Sequence, residues 1–362
     1  MNELKSQITP GAAYRHIEAL DALRGFAAVY VFLFHAKVIP LFGQEAVILF
    51  FMLSGFVIYY VTHGNGRTVS ISTYLNHRTR RIYPIFLFAL LTAYVAASII
   101  AGQIEDPRWG NLLENVFMFQ GLKGWMGPHW ARPYWDNSPL WSLSFEWWFY
   151  LMFIPLCLAS KASPKAQFAQ VSAISLIGFA VYQIYPHPAA LICNFLAIWW
   201  LGVEFAREFT ETGDITIRRQ AAPILLVAAS TALWGALSMV KVFGSETLRF
   251  GAEPIIEARL FGAAFAFVIV GFCWKWLKFR YYSTLLSPFA VLAPISYALY
   301  VIHYPVLRTM DAVLPDYPFV VRLLASALFL IPVCYALEVV AQRRINVWLN
   351  KLSGKSPGHA AQ

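Results

Sequence analysis

Charge is scarce in this 362-residue sequence, with Asp, Glu, Lys and Arg at 13% beside 59% apolar residues. A soluble domain carries about a quarter charged and roughly 45–50% apolar residues, so an ordinary soluble domain is excluded and a membrane protein is left. Cysteine is scarce too. Cys157, Cys193, Cys273 and Cys334 each lie in an apolar stretch without a close partner, which suits small buried hydrophobes and implies neither a disulfide framework nor a metal site. The N-terminus lacks the basic start, apolar core and small-residue cleavage site of a signal peptide, and the expectation is that it is kept, in the cytoplasm. Walker loops, dinucleotide fingerprints, G-x-S-x-G elbows and H-E-x-x-H zinc motifs are missing. "HGNGR" at 63–67 reads as a turn. There is no internal repeat, low-complexity tract or lipidation signal.

What is present in quantity is apolar length. Crossing about 30 Å of hydrocarbon takes about 20 mostly apolar residues, and ten segments meet that measure: 18–38, 45–62, 82–102, 138–158, 168–186, 189–206, 220–240, 257–277, 285–307 and 318–341. The expected fold is an all-α polytopic membrane protein of about ten transmembrane helices. It divides into an N-terminal segment 1–17, a transmembrane domain 18–341 and a tail 342–362. With the N-terminus inside, eighteen of the 28 Lys and Arg fall on the cytoplasmic side and nine outside, leaving Arg24 within the first span. An even number of spans returns the C-terminus to the cytoplasm. The net charge of +9 is then topological, and no nucleic-acid partner is needed to explain it. The expected location is the inner (plasma) membrane, multi-pass in the lipid bilayer.

Charges inside a span cost a few kcal/mol on insertion scales, so each is a functional hypothesis by default. The first segment, "EALDALRGFAAVYVFLFH", holds Asp21, Arg24 and His35. Eleven residues at about 100° each bring His35 to within roughly 20° of the azimuth of Arg24, with Asp21 about 60° away, and His35 lies roughly 16 Å further along the axis. One such residue reads as an end-of-span ion pair or an interfacial histidine. Three on one stripe point to function. In the fourth segment, "NSPLWSLSFEWWFYLMF", Glu146 needs a partner or a proton. The basic groups at similar depth are His35 and His303, and Ser142 lies one turn before Glu146 on the same face. The basic run "YLNHRTRRIYP" carries Arg78 and Arg81, whose forked guanidinium groups suit phosphate. If the third helix begins there, they share the first turn, where free backbone N–H groups also favour anions.

Five runs in order, "LDALRGFAAVYVFLFH", "FFMLSGFVI", "HRTRRIYP", "LWSLSFEWWFY" and "ISYALYVIHYPV", together resemble the acyltransferase 3 family of integral membrane O-acyltransferases. The resemblance covers nearly the whole chain and is to the stand-alone form without a fused extracytoplasmic domain. It implies that Arg24 and His35 mark the first helix, that Arg78 and Arg81 belong with the acyl-CoA, and that Glu146 is the glutamate of the S-L-x-x-E-x-x-F-Y run. Many members have a second acidic residue after that glutamate, whereas Trp147 stands here. The resemblance implies no permanently bound cofactor. Acyl-CoA, with acetyl preferred over succinyl or longer chains, would be the co-substrate, and a sugar hydroxyl of an envelope or exported glycan, free or lipid-linked, the acceptor.

The expected mechanism docks the CoA phosphates on Arg78 and Arg81 and sends the pantetheine arm between the helices towards His35. An imidazole titrating near neutrality can deprotonate the acceptor hydroxyl and return the proton to the thiolate, or carry the acyl group itself. Glu146 would fix the His35 tautomer, Arg24 and Asp21 would complete the charged stripe, and His303 and Ser142 would face the substrate beneath the Trp-rich 103–137 loop. The competing class is a proton-coupled transporter using Asp21, Arg24, His35 and Glu146 as a relay. An inverted repeat would support it, and the sequence shows none.

Overall fold

The computed structural model describes residues 17–66, 69–121, 130–244 and 253–352 of the chain. Nearly all of the expected segment 1–17, the end of the tail, and Arg67, Lys123 and Arg249 of the charge count lie outside the described residues. The described residues are mainly helical: α1 (Glu18–His35), α2 (Gly43–His63), α3 (Ile71–Ala101), the short α4 (Trp109–Val116), α5 (Trp141–Phe153), α6 (Pro164–Ile184), α7 (Pro188–Thr212), α8 (Ile217–Phe243), α9 (Ile255–Trp276), a single turn α10 (Tyr282–Leu285), α11 (Ser296–Val313), α12 (Phe319–Tyr335) and α13 (Gln342–Leu352). A lone bridge, Gln120 to Ala131, is the extended pairing among these residues.

Nine stretches among the described residues are long and apolar enough to cross a membrane, and each overlaps one of the ten segments expected. The tenth is α1, which carries Glu18, Asp21 and Arg24 in 18 residues and so falls short on composition. It nevertheless packs on α2 and α11 and buries Ala22, Ala27, Ala28 and Val31. Helix contacts in lipid rely on close approach of small residues rather than on a hydrophobic drive. The α2–α7 pair shows this directly: Gly55 faces the backbone carbonyl of Trp199 and Gly202 faces that of Met52, and a Cβ at either position would overlap the opposing carbonyl. The outward stripe Leu87, Leu91, Val95 and Ile99 of α3 is exposed at the i, i+4 spacing of one helix face, the side that meets lipid.

Two boundaries differ from expectation in ways that matter for the site. Helix α3 begins at Ile71, capped by Ser70, whose Oγ accepts the Thr73 N–H at 3.2 Å. Arg78 and Arg81 therefore lie in the helix interior, where the backbone N–H groups are spent on the helix itself, and the expected anion site at a helix N-terminus does not form. Residues 342–352, expected as the start of a tail, continue as α13 through a wide π turn at Ala336–Ala341.

Two prolines inside helices explain how distant segments are pinned. Proline has no N–H, so Pro84 leaves the Arg80 carbonyl without its helical donor, and Gln342 Nε2 donates to it at 2.6 Å. Arg80 Nη1 reaches Asn350 Oδ1 in return, fixing α13 against α3. In α11, Pro305 likewise frees the Val301 carbonyl, and the buried Asn137 donates its Nδ2 at 2.9 Å. That bond ties the loop before α5 to the turn of α11 that carries His303.

Candidate active site

Two histidines meet where α1 ends against the middle of α11. His303 is fully buried, and its Nδ1 lies 2.9 Å from the Leu299 carbonyl one turn earlier. Its Nε2 lies 3.1 Å from His35 Nδ1, which is also 3.1 Å from the Val31 carbonyl. A neutral imidazole has one donor and one acceptor nitrogen, and a carbonyl can only accept. His303 therefore carries its proton on Nδ1 and presents a lone pair at Nε2. His35 donates from Nδ1 and keeps its own Nε2 as a lone pair. The pair thus holds His35 in the tautomer of a base, the arrangement in which one group orients the ring that takes the proton. His35 is half-buried and lines a cavity of about 100 Å³ with Lys37, Asp311 and Arg322. Tyr304, whose ring centroid is 5.2 Å from that of His35, borders a second cavity of about 200 Å³ reaching Trp135 and Arg108 of the 103–137 loop.

At the other end of α1 the interior is ionic. Arg24 pairs with Asp21 at 3.6 Å and keeps 30% of its side chain exposed, and Arg81, Glu338 and Glu146 act on it electrostatically. Arg81 forms a salt bridge with Glu338 and lies 5.5 Å over the Tyr297 ring. The other carboxylate oxygen of Glu338 accepts the Ala298 N–H at 2.8 Å. That N–H belongs to the first turn of α11 and has no partner within its own helix, so Glu338 caps α11 and neutralises Arg81 at once. This buried glutamate was not among the residues singled out from the sequence. It lies near the end of the last apolar segment, 318–341, four residues before the "QRR" run.

Glu146 takes a hydrogen bond from Tyr150 one turn on, and Tyr150 Oη lies 3.1 Å from Ser54 Oγ, which accepts Trp199 Nε1–H at 3.2 Å. The partner of Glu146 is thus a tyrosine of its own helix, while the partner of His35 is His303. Ser142 Oγ lies 2.6 Å from Tyr300 Oη, and both point at the Pro139 carbonyl. Both residues are buried, which makes the pair a strut between α5 and α11. Arg78 lies 6.0 Å from the Tyr150 ring centroid, its Nε is buried without a partner, and no carboxylate pairs with it among the described residues. His/Cys/Asp/Glu clusters able to hold a metal do not occur among the described residues.

A family described as an acyltransferase domain matches residues 17–339. The chain belongs to this family. The match runs from the start of α1 to the π turn and so contains the histidine pair, the arginines and Glu338. Acyltransferase MdmB of Streptomyces mycarofaciens is 29% identical over 158 residues, a stretch covering 38% of this chain and 38% of that protein. No solved structure matches the chain. Family membership agrees with the resemblance carried by the five sequence runs.

Proposed function

We propose that this chain is a membrane O-acyltransferase that moves an acyl group, acetyl by preference, from acyl-CoA to a hydroxyl of an envelope or exported carbohydrate. The observation that carries this reading is the His303–His35 hydrogen bond, which with the Val31 carbonyl leaves the Nε2 lone pair free on a histidine that lines a cavity. Acyl transfer needs little more than a positioned base and a donor held in line. The acceptor O–H gives its proton to His35 Nε2 as its oxygen attacks the thioester carbonyl. The C–S bond then breaks, and the imidazolium returns the proton to the departing CoA thiolate.

The other end of α1 supplies the donor side. Arg24 and Arg81 are charged groups in the interior that retain 30% and 36% side-chain exposure, so they face open space rather than packed apolar atoms. Such a seam suits the polar pantetheine arm, and Arg78 suits a CoA phosphate. The axial rise of about 16 Å from Arg24 to His35 is the distance the arm must cover. A proton-coupled transporter would use the same interior charges and the same lone pair, and what favours acyl transfer is the acyltransferase-domain match over residues 17–339.

The test is transfer of labelled acetyl from acetyl-CoA by the purified protein, with release of free CoA thiol as a second readout. The wild type is expected to release CoA and pass label to a carbohydrate acceptor, and His35→Ala to insert normally and do neither. Normal acylation by well-folded His35→Ala, or proton flux without CoA release by the wild type, overturns the proposal.

A further inference from the structure

The cavity beside His35 has a polar wall that the mechanism above does not use. Asp311 stands in the last turn of α11 and Arg322 in the first turn of α12, joined by the short 314–318 connection. Arg322 Nη1 lies 3.0 Å from Asp311 Oδ1. The Arg322 Nε is buried and has no partner, while the Asp311 side chain remains 54% exposed. Leu307 and Phe319 form the apolar side of the same cavity of about 100 Å³.

We propose that Asp311 and Arg322 read the acceptor, holding a neutral, polyhydroxylated ring edge so that one of its hydroxyls meets His35. This rests on the acyltransferase reading. A hydroxyl both donates and accepts. Two neighbouring hydroxyls can therefore give one hydrogen bond to the exposed Asp311 carboxylate and take one from the Arg322 guanidinium, whose five N–H donors exceed what the ion pair uses, without breaking the ion pair between the two residues. The Asp311–Arg322 pair carries no net charge, so what it recognises is hydroxyls, with Lys37 as a further donor on the same cavity, and the C–H face of the ring fits Leu307 and Phe319. A simple alcohol with one hydroxyl can reach His35 but cannot use the pair.

The experiment compares two acceptors, octyl β-glucoside and 1-octanol, with acetyl-CoA as donor and the full-length protein. The readout is the ratio of transfer to the glucoside over transfer to octanol, which does not depend on how much of a variant is folded. In Asp311→Ala and in Arg322→Ala this ratio is expected to fall at least about tenfold, the usual scale for leaving a hydrogen-bonding group unpaired. A ratio within about twofold of the wild type in both variants overturns the inference. So does a wild type that releases CoA but never acylates the glucoside. A wild type that neither hydrolyses acetyl-CoA nor acylates either alcohol fails earlier, overturning the acyltransferase reading and this inference with it.

Discussion

His303 Nε2 accepts the Nδ1 proton of His35 across 3.1 Å, with His303 itself anchored to its own helix through Leu299. The orienting group in this pair is a neutral ring, not a carboxylate. The Val31 carbonyl takes the same proton, so the contribution of His303 is a second anchor that holds the His35 ring in one orientation. His303→Phe keeps the site buried and apolar but releases His35 Nδ1 to the Val31 carbonyl alone. We expect kcat to fall on the order of 100-fold while the KM values for acetyl-CoA and acceptor stay within about threefold. His303→Asn, which can place an amide oxygen near the lost Nε2, should recover part of that loss. Steady-state kinetics with both substrates varied checks this, and a drop seen in KM alone would make His303 a binding residue instead.

The Arg81–Glu338 pair holds three helices, because Glu338 also caps the first turn of α11 at Ala298. Removing one member of a fully buried ion pair strands the other at about 3–5 kcal/mol, and the cost is smaller here because Arg81 keeps 36% of its side chain exposed. Glu338→Ala should therefore lower the thermal midpoint. Glu338→Gln keeps an acceptor for Ala298 N–H and should lose less. Because the penalty comes from a stranded charge, Arg81→Met with Glu338→Met should be more stable than Glu338→Ala alone. Thermal unfolding in detergent ranks the three, and equal midpoints for Glu338→Ala and Glu338→Gln would remove the capping argument.

Arg78 and Arg81 look equivalent as an R-x-x-R pair but face different tasks. Arg81 is committed to Glu338, whereas the Arg78 Nε has no partner. Arg78→Gln should raise the KM for acetyl-CoA about tenfold, as loss of one charge-assisted hydrogen bond does, with a smaller dependence of KM on salt. Arg81→Gln should instead lower the amount of folded protein. Donor kinetics at two ionic strengths, set beside size-exclusion profiles, separate the two outcomes. The same donor KM in Arg78→Gln as in the wild type would place the phosphates elsewhere.

The spans were legible because apolar length is a local property, and each expected segment lies on a helix. Boundaries were less so: α3 begins at Ile71 because Ser70 caps it, and a polar first turn carries no apolar signal. His35 and His303 were both visible as histidines within spans. Their contact was not, since it depends on how α1 crosses α11, 268 residues apart in sequence. Glu146 was assigned a histidine partner, although Tyr150 stands at the i+4 position that shares its helix face. Glu338 was hidden by its place at the end of an apolar run, and only the approach of α3 and α11 shows that it is buried.

Asn137 and Pro305 offer a test of how the loop before α5 is tied to the site. Pro305 cannot donate to the Val301 carbonyl, and Asn137 Nδ2 does so at 2.9 Å. With Asn137→Ala the carbonyl is buried unsatisfied, at a cost of about 1–3 kcal/mol, and the turn carrying His303 loses its tether. In a Pro305→Ala background the new residue 305 has an N–H that can reclaim Val301, so Asn137 becomes redundant there. The double-mutant cycle should therefore show the Asn137→Ala penalty shrinking by at least about 0.5 kcal/mol when Pro305 is replaced. Activity should follow the same pattern, with Asn137→Ala impaired in the wild-type background and nearly neutral in Pro305→Ala. Additive effects in both stability and rate would mean that the amide acts through some contact other than the proline-freed carbonyl.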